Sequence, residues 1–388
     1  MKPTVAVLAD KIVRGGGESL LTDIIAAIGD EVAFKIWCLG HIDDSVRPDF
    51  EKHDIEICRV RDAPYSSTEK YQLKPLPAVV RLLLKSDIDI LHGYSLYCNV
   101  ISRMASTVVS GTKSVGHHHG VADQWSIPRV ANVLTNRLSG CTICVSETVA
   151  EVIYGPSSSI PRRVAGNNIE VVHNPIDFDL VRDSKQHTPE VLQRYNLVRY
   201  DDLIVSVGRL TESKNHQTLI RAAANMDAQY HFVIVGGGDL KAELTKTIEK
   251  YGVSDQVTLL GQVDRTESLA IINGADLFVS TSIREGFGIA LVEAMALGKP
   301  IIASSIPAYR EIGNEDVISY FQPRDAGALS DEIQRLSESP ALLAQKIDAA
   351  QTQASKYSVE RIASRYREIY SQLHTDSHIR GISTAGDR

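Results

Sequence analysis

The sequence of 388 residues has few aromatic side chains, few cysteines and no excess of positive charge. Lysine and arginine together number 41, against 48 aspartate and glutamate residues, which gives a formal net charge of −7. Nucleic-acid-binding proteins usually carry a basic surface, so nucleic acid is not expected as the main partner. Small basic sites for phosphate groups remain compatible with this charge balance, because such sites are local.

Long apolar runs are lacking as well. No stretch approaches the roughly 20 apolar residues that a membrane-spanning helix needs. No charged segment followed by an apolar run and a cleavage site comes before the first strand-like segment, Thr4–Leu8. A cytoplasmic protein is therefore expected. Peripheral contact with the inner face of a membrane is compatible with that location.

Cysteine occurs only five times, at Cys38, Cys58, Cys98, Cys141 and Cys144. An odd number, mostly within apolar strand-like segments, is typical of reduced and buried thiols. The pair Cys141 and Cys144 has the spacing of a metal or redox motif, but no second pair accompanies it. An ordinary strand is the preferred interpretation of this segment, and a zinc or redox site is the alternative.

What the sequence does contain is an alternation of short apolar segments and amphipathic helices. This alternation predicts an α/β fold with parallel sheets covered by helices. The predicted strands of the first half are Thr4–Leu8, Val32–Cys38, Ile88–His92, Ser114–His118, Thr142–Ser146 and Glu170–Val172. Those of the second half are Leu203–Val207, His231–Val235, Val257–Leu260, Leu277–Thr281, Pro300–Ser304 and Val317–Phe321. Each half predicts one doubly wound, Rossmann-like domain, and the two are expected to face each other across a cleft.

A polar stretch at about residues 177–202 separates the two series of strands. We therefore expect an N-terminal domain at residues 1–176 and a C-terminal domain at residues 177–355. A last helix is predicted at residues 356–376, followed by a flexible polar tail at residues 377–388. The first helix is predicted from an apolar stripe at helical spacing, formed by Leu20, Leu21, Ile24, Ile25 and Ile28.

Two cations follow the first predicted strand of the second half. The strand ends at Gly208, and Arg209 and Lys214 come before the next helix. Arginine offers a forked donor for phosphate oxygens, lysine offers a point charge, and a helix N-terminus adds a favourable dipole. This segment suits a diphosphate, and a solvated loop with incidental charges is the alternative.

A glycine-rich turn with two carboxylates follows the strand Leu277–Thr281. Glu285 lies in the turn Glu285-Gly286-Phe287-Gly288, and Glu293 lies eight positions further on. Helical rise over this interval would separate the two carboxylates by about 12 Å, comparable to the distance between the hexose and the ribose of a nucleotide sugar. Carboxylates accept hydrogen bonds from sugar hydroxyls. The alternative is a helix N-terminus with ordinary surface charges.

Taken together, these residues resemble the retaining family-4 glycosyltransferases of the GT-B fold. The matching positions are Gly208-Arg209 with Lys214, Glu285-Gly286-Phe287-Gly288 with Glu293-Ala294, and Gly298-Lys299-Pro300. Gly15-Gly16-Gly17-Glu18 resembles the first glycine-rich loop of the family, Val172-His173-Asn174-Pro175 its inter-domain entry, and Tyr357-Ser358 its closing segment. The resemblance extends over nearly the whole chain, although Thr281-Ser282 and Arg284 depart from the usual pattern.

The resemblance implies a role for each matching residue. Arg209 and Lys214 would grip the diphosphate of a nucleotide-sugar donor and stabilise the leaving nucleotide. Glu293 would hold the ribose, and Glu285 would meet the transferred sugar. The other donor-binding positions that the resemblance implies are Gly15, Gly16, Val263, Phe287, Gly288 and Ile289. No metal or cofactor is implied beyond the nucleotide sugar, and the last helix would cross back to the first domain.

Three adjacent histidines occur in Val115-Gly116-His117-His118-His119-Gly120. The histidine that contacts the sugar in the family corresponds most naturally to His119, and a slip of one residue would give His118 or His117. Alternation along a strand places His117 and His119 on the same face. A metal site is the alternative for this cluster, but no matching carboxylate or thiol group accompanies it. His92 has two interpretations: it lines the acceptor side, or it is a structural histidine.

Two motifs are interpreted as structural. Asp87-Ile88-Asp89 imitates the acidic pair of metal-dependent glycosyltransferases but comes before a strand, where the family has an ordinary turn. Val235-Gly236-Gly237-Gly238-Asp239 lacks the full spacing of a dinucleotide loop and predicts a tight turn between a strand and a helix.

An amphipathic segment at residues 125–138 has two interpretations. Its apolar residues are Trp125, Ile127, Val130, Val133, Leu134 and Leu138, and Arg129 and Arg137 lie among them. Packing of these side chains in the core is the preferred interpretation. A basic helix at a membrane surface is the alternative, and it would favour a lipid-linked acceptor.

The function expected is retaining transfer of a hexose-type sugar to a glycan or to a lipid-linked acceptor. The two alternatives are a nucleotide-sugar epimerase of the same fold and a catalytically silent subunit that binds a sugar nucleotide. The base, the sugar, the acceptor, the linkage and the oligomeric state are left open.

Overall fold

The computed structural model describes residues 2–13, 16–66, 68–69, 72–121, 126–166, 168–200 and 202–385, with the side chains of 16–19 and 376–385 left aside. The chain forms two compact units. Unit 1 comprises Met1–Pro175 together with Val359–Arg388, and unit 2 comprises Ile176–Ser358. The last helix therefore belongs to the same unit as the first strand.

Unit 1 is built on a parallel sheet of seven strands in the described part of the chain. The spatial order is β3-β2-β1-β4-β5-β6-β7. The strands are β1 Thr4–Ala9, β2 Ala33–Cys38, β3 Ile57–Arg59, β4 Ile90–Gly93, β5 Lys113–His118, β6 Cys141–Cys144 and β7 Ile169–Val171. The order reverses between β1 and β4, which makes the sheet doubly wound and places the switch point between these two strands.

Helices cover the sheet of unit 1. They are α1 Gly16–Ile28, α2 Arg47–Glu51, α3 Leu76–Leu83, α4 Leu96–Val108, α5 Ile127–Thr135, α6 Glu147–Tyr154, α7 Ile160–Ala165 and the last helix of the chain, α16 Val359–Ala385. The predicted stripe on α1 is buried, from Leu20 to Ile28. On α16, Ile362, Tyr366 and Tyr370 pack into the same core.

Unit 2 repeats this architecture with six strands. The order is β10-β9-β8-β11-β12-β13, and all described pairs are parallel. The strands are β8 Asp202–Val207, β9 Tyr230–Val235, β10 Val257–Gly261, β11 Leu277–Ser280, β12 Ile301–Ser304 and β13 Ile318–Phe321. The helices are α8 Phe178–Arg194, α9 His216–Ala223, α10 Lys241–Tyr251, α11 Arg265–Asn273, α12 Ile289–Ala296, α13 Pro307–Ile312, α14 Ala326–Ser337 and α15 Pro340–Ala354. The switch point lies between β8 and β11.

The α/β fold of two doubly wound sheets is therefore confirmed, and every predicted strand is present within a few residues of its expected bounds. One strand was missed. β3, Ile57–Arg59, is only three residues long and pairs with β2 at the edge of the sheet. So short an edge strand leaves too few residues to show an alternating pattern.

The polar stretch that separates the two series is not irregular. It contains α8, whose first turn is capped by the Asp177 carboxylate, which accepts hydrogen bonds from the amides of Asp179 and Leu180, both at 2.9 Å. The helix packs on α11, where Gly274 leaves room for the Leu192 side chain. Few apolar residues on this helix are buried, so hydrophobic periodicity gave little signal of it.

Two further differences concern elements at the surface of unit 1. Helix α16 continues to Ala385, past the predicted end at residue 376, so residues 377–385 extend the helix. On and after α5, the side chains of Ile127, Val130, Leu134 and Leu138 are exposed, and core packing is therefore wrong for these four residues. Only Val133 of this set is buried, and Trp125 lies outside the described residues. Within the described residues, no helix has both the length and the apolar character to cross a bilayer.

Candidate functional site

The strands next to the switch point of unit 2 carry the residues singled out by sequence. The loop after β8 contains Gly208, Arg209 and Lys214, and the loop after β11 contains Glu285. Because β8 and β11 are parallel neighbours, their carboxyl ends lie at one edge of the sheet. Ligands of doubly wound sheets bind at this edge, beside the switch point.

Backbone contacts join the two loops directly. The Ile283 amide donates to the Ser213 carbonyl at 2.8 Å, and the Thr281 hydroxyl donates to the Lys214 carbonyl at 2.9 Å. Asn215, in the left-handed conformation with φ of 50°, directly precedes α9 and donates its side-chain amide to the Thr281 carbonyl at 3.4 Å. The position of Lys214 is thus fixed from both sides of the switch point.

Three consecutive glycines support the loop after β8. Gly236 has φ of 143°, and a Cβ there would lie 2.1 Å from the Gly208 carbonyl oxygen. A Cβ at Gly238 would lie 2.5 Å from the Leu210 carbonyl oxygen, and the Leu210 amide donates to the Gly237 carbonyl at 2.8 Å. The motif is the predicted turn between a strand and a helix. The sequence did not indicate that its backbone also packs against the loop that carries Arg209.

The two cations of this loop differ in their surroundings. Arg209 is exposed, and its guanidinium forms no hydrogen bond or ion pair with the described part of the chain. The Lys214 side chain passes over Gly208, where an added Cβ would meet its Cδ at 3.2 Å. Lys214 then forms an ion pair with the Glu285 carboxylate, in which both side chains are mostly buried. The edge therefore holds one exposed cation and one that is already paired.

Hydroxyl groups complete the surroundings of the Glu285 carboxylate. Its Oε1 accepts from the Ser282 hydroxyl at 2.8 Å and from the Tyr309 hydroxyl at 3.2 Å. Burial, together with the Glu285 charge, raises the pKa of Tyr309 well above its ordinary value, so this hydroxyl stays protonated and can donate. Ser282 and Tyr309 were not predicted from the sequence. The only signal was their position, Ser282 in the loop after β11 and Tyr309 on α13, the helix that follows β12.

Helix α12 begins at Ile289, directly after the glycine-rich turn. Gly288 has φ of 110°, and an added Cβ would lie 2.6 Å from the Tyr309 ring. Phe287 is buried, and its ring lies edge-on to Tyr357 with 5.3 Å between the centroids. Since the helix covers only the second half of the interval between Glu285 and Glu293, the separation expected from helical rise over eight residues does not apply.

Glu293 lies on α12 and is buried, with 7% of its surface exposed. Its Oε1 accepts a hydrogen bond from the Arg265 Nε at 3.0 Å. Arg265 is the first residue of α11, and it follows Val263, which is half-buried in the loop after β10. This ion pair was not predicted. Arg265 had no signal beyond its place after the end of a strand.

A group of aromatic rings lies at the switch point of unit 1. His92 on β4 and His117 on β5 stack with 5.3 Å between ring centroids. His119 lies 3.8 Å from His117 and 4.1 Å from Tyr94, measured between centroids. The prediction that His117 and His119 share a face is confirmed by this contact.

Two tyrosines from α16 complete this group. The Tyr370 hydroxyl is 2.8 Å from His92 Nδ1, and the Tyr366 hydroxyl is 3.3 Å from His117 Nε2. The i, i+4 spacing of the tyrosines was the signal in the sequence that would have placed them on one helical face. Burial lowers the pKa of His119 to about 3, and burial followed by the nearby His119 lowers that of His92 to about 3. These imidazoles are therefore neutral at physiological pH.

His118 points to the opposite face of β5. Its Nε2 lies 2.8 Å from the Tyr154 hydroxyl, in the neighbourhood of the buried Arg103. Burial and the Arg103 charge lower the pKa of His118 well below its ordinary value. Of the three adjacent histidines, two thus face the switch point, and His118 is part of the packing behind it.

The other residues singled out by sequence lie in unit 1. Gly15 lies outside the described residues, and Gly16 is the first residue of α1. Asp89 accepts the Thr4 amide at 2.8 Å at the opposite edge of the sheet, as a structural residue does. Cys141 and Cys144 are both buried free thiols on β6, where a spacing of three directs them to opposite faces. Among the described residues, no group of three or more His, Cys, Asp or Glu side chains is placed to hold a metal.

Two family models match the chain. Residues 14–180 match the model described as Glycosyltransferase Family 4, and residues 189–353 match the model described as Glycosyl transferases group 1. Together these matches extend over most of both units.

Individual proteins show the same similarity. The chain is 26% identical over 331 residues to the phosphatidyl-myo-inositol mannosyltransferase of Mycobacterium leprae, with 80% of this chain and 82% of that protein covered. It is 25% identical over 264 residues to one chain of the human phosphatidylinositol N-acetylglucosaminyltransferase, with 66% of this chain covered. That match spans only 52% of the human protein, about half of its length. A crystal structure of Anabaena HepE in complex with UDP-glucose has a similar fold, with a TM-score of 0.78, 22% identity, and 95% of this chain and 99% of that chain covered.

Proposed function

Because the chain belongs to the family-4 glycosyltransferases of the GT-B fold, we propose that it transfers a hexose-type sugar from a nucleotide-diphosphate donor with retention of anomeric configuration. The observation that carries this proposal is the set of ionised side chains beside the β8/β11 switch point. Arg209 is exposed there, Lys214 is paired with Glu285, and Glu293 is paired with Arg265. A ligand with a diphosphate and several hydroxyl groups matches this arrangement in charge and in hydrogen-bonding capacity.

The diphosphate is assigned to the loop after β8. Arg209 has no competing carboxylate within the described residues, so an incoming phosphate meets its full positive charge. The hydrogen bonds that surround the Glu285 carboxylate hold Lys214 in place before the donor arrives. Cations positioned in advance cost little reorganisation when negative charge develops on the leaving nucleotide.

The ribose and the base are assigned to α12 and α11. Glu293 has a carboxylate that accepts from Arg265 and retains further acceptor capacity for ribose hydroxyls. Val263, beside Arg265, is assigned to the base. The backbone amides of Phe287, Gly288 and Ile289, at the start of α12, are assigned to the sugar and its phosphate. The donor contacts that the family resemblance implies for His119, Gly15 and Gly16 of unit 1 stay predictions.

In the proposed step, the bond between the anomeric carbon and the phosphate oxygen breaks first, through an oxocarbenium-like transition state. The acceptor hydroxyl then attacks the same face of the sugar, and its proton passes to the departing phosphate. This step uses no protein nucleophile, no metal and no cofactor besides the nucleotide sugar. The acceptor is a glycan or a lipid-linked molecule, and the phosphatidylinositol in the names of two relatives supports the lipid-linked class.

The test combines a panel of nucleotide-diphosphate sugars with glycan and lipid-linked acceptors. Release of nucleotide is followed together with the anomeric configuration of the product by proton NMR. The proposal expects acceptor-dependent release and a product with the anomeric configuration of the donor. An inverted product would contradict the retaining mechanism, and an epimerised donor without acceptor would favour the epimerase. Binding of the donor without any turnover would favour a silent subunit.

A further inference from the structure

Exposed apolar side chains are concentrated on one surface of unit 1. Among the described residues, ten large apolar side chains are exposed, and six of them lie on α5, on the 3-10 turn that follows it or on α7. They are Ile127, Val130, Leu134, Leu138, Ile160 and Val164, with between 38% and 82% of each exposed. We call this surface the α5–α7 face. Single exposed apolar side chains scattered over a surface are normal and need no explanation. Six of the ten on two short helices and the turn after α5 form a patch, and a patch does need one.

Helix α5 is amphipathic, but it turns its polar face to the protein and its apolar face to the outside, the reverse of a normal surface helix. Its inward face is polar, because the fully buried Arg103 donates to the Asn132 side chain at 3.0 Å, to the Thr135 hydroxyl at 3.3 Å and to the Asn136 side chain at 2.7 Å. The aliphatic side chains of Ile127, Val130 and Leu134 are on the outside, and only that of Val133 is buried. In water a surface helix turns its apolar face to the core. This helix is therefore suited to an apolar environment on its outer side.

The two helices form one continuous surface. Arg137, in the turn after α5, donates its Nε to the Val164 carbonyl at 2.7 Å and its Nη2 to the Arg163 carbonyl at 2.8 Å. These bonds tie the end of the α5 segment to the end of α7. The apolar side chains of both helices consequently belong to one surface.

Positive charge borders the apolar side chains. Arg137, Arg162 and Arg163 form no ion pair with the described part of the chain, although the whole protein carries a net charge of −7. Arg137 and Arg163 also line an open depression of about 570 Å³, together with Ser139, Gly166 and Asn168. The Ser139 hydroxyl and the Asn168 side-chain amide already donate within the chain, to the Cys141 carbonyl and the Ser139 carbonyl, each at 2.6 Å. The groups that this depression offers to a phosphate are therefore the guanidinium groups of Arg137 and Arg163.

We propose that the α5–α7 face docks this protein on the surface of an anionic phospholipid bilayer. The aliphatic side chains enter the boundary between headgroups and acyl chains, and the arginines bind the lipid phosphates. A second copy of the chain is a poorer partner, because a two-fold interface on this face would bring the arginines of both copies together. The α5–α7 face contains no residue that is assigned to the donor, so its test does not depend on the proposed sugar transfer.

The experiment is flotation of the full chain with vesicles of phosphatidylcholine alone and of phosphatidylcholine mixed with phosphatidylglycerol. The wild type is expected to float with the mixed vesicles, less so at high salt. I127S/L134S is expected to bind the mixed vesicles about tenfold or more weakly, because two aliphatic side chains no longer leave water. R162Q/R163Q is expected to bind them several-fold more weakly, since each arginine near an anionic surface contributes modestly.

The matched control variants carry the same types of substitution outside the α5–α7 face. L84S/V108S replaces two other exposed apolar side chains of unit 1, and R81Q/R221Q neutralises two other exposed arginines. Both controls are expected to float like the wild type, and circular dichroism checks that all variants are folded. Absence of wild-type flotation would overturn the proposal, as would equal losses in the controls. A wild-type dimer that I127S/L134S converts to a monomer, without any change in vesicle binding, would assign the face to self-association instead.

Discussion

The two units share a backbone design and differ in the side chains placed on it. In unit 1 the Asp89 carboxylate, just before β4, accepts the amide of Thr4 at the start of β1 at 2.8 Å. In unit 2 Asp276, just before β11, accepts the amide of Leu203 on β8, also at 2.8 Å. The same contact thus joins the two strands of each switch point, at the edge away from the candidate site.

The opposite edges differ in chemistry. Unit 2 presents the ion pairs of Lys214 with Glu285 and of Glu293 with Arg265, next to the exposed Arg209. Unit 1 presents neutral imidazole and phenol rings, with the pKa of His119 lowered by burial. The shared topology places the candidate residues of each unit at the carboxyl ends of its strands. The side chains differ in what they can bind, because charged groups suit a diphosphate and neutral rings suit an uncharged carbohydrate.

The largest expected effect is on the charged edge. Arg209→Ala and Lys214→Ala should each lower turnover about a hundredfold or more, because each removes a positioned cation from the leaving diphosphate. Initial rates of nucleotide release measure this. Arg182→Ala, which removes an exposed arginine of α8 paired with Asp179, is the matched control and should keep wild-type turnover. Unchanged turnover in both site variants would refute the assignment.

The second effect concerns the backbone that supports this edge. Gly236→Ala should lower the free energy of unfolding by about 2 kcal/mol more than Gly252→Ala, because both glycines have positive φ but only at Gly236 would the Cβ meet a backbone oxygen. Urea denaturation of both variants measures the difference. Equal losses would show that the turn is not packed tightly against the loop after β8.

The third effect separates binding from chemistry at the same edge. Glu293→Gln should raise KM for the donor about tenfold and change kcat little, since a charge-assisted acceptor for the ribose is lost in ground state and transition state alike. Glu332→Gln is the matched control, because Glu332 is also paired with an arginine, Arg335, on α14. A fall in kcat with unchanged KM would place Glu293 at the reacting sugar instead.

The smallest effect tests the neutral edge. The pKa of His119 is lowered from 6.5 to about 3 in the folded protein, so the unfolded chain binds the proton first as the pH falls. Stability from this group is present above about pH 6.5 and is lost towards pH 3. His119→Asn should therefore reduce the loss of unfolding free energy between pH 7 and pH 5.5 by about 1 kcal/mol. Urea denaturation at both pH values is the measurement, and His187→Asn, at an exposed position, is the matched control. An unchanged pH slope in His119→Asn would mean that His119 is not held neutral.

The features predictable from the sequence were those set by local pattern. Buried parallel strands such as β8 and β9 are apolar runs between helices, so their order along the chain was readable. The positions of Arg209, Lys214 and Glu285 were informative because the loops after neighbouring parallel strands share one edge.

The features that were missed depend on contacts distant in sequence. Tyr309 reaches Glu285 across 24 residues, and Arg265 reaches Glu293 from another helix. The outward apolar face of α5 was misjudged because its pattern is that of any amphipathic helix. The buried Arg103, which donates to the side chains of Asn132 and Asn136, stabilises the arrangement with the polar face turned inward. No local periodicity carries that information.

The central claim is that the loop after β8 binds the donor diphosphate while Glu293 binds the ribose. A crystal structure of the chain with a bound nucleoside-diphosphate sugar tests this most directly. The account predicts phosphate oxygens within hydrogen-bond distance of the Arg209 guanidinium and the Lys214 Nζ, with the ribose hydroxyls against the Glu293 carboxylate. A donor bound with its diphosphate away from both cations, or with its ribose away from Glu293, would contradict it.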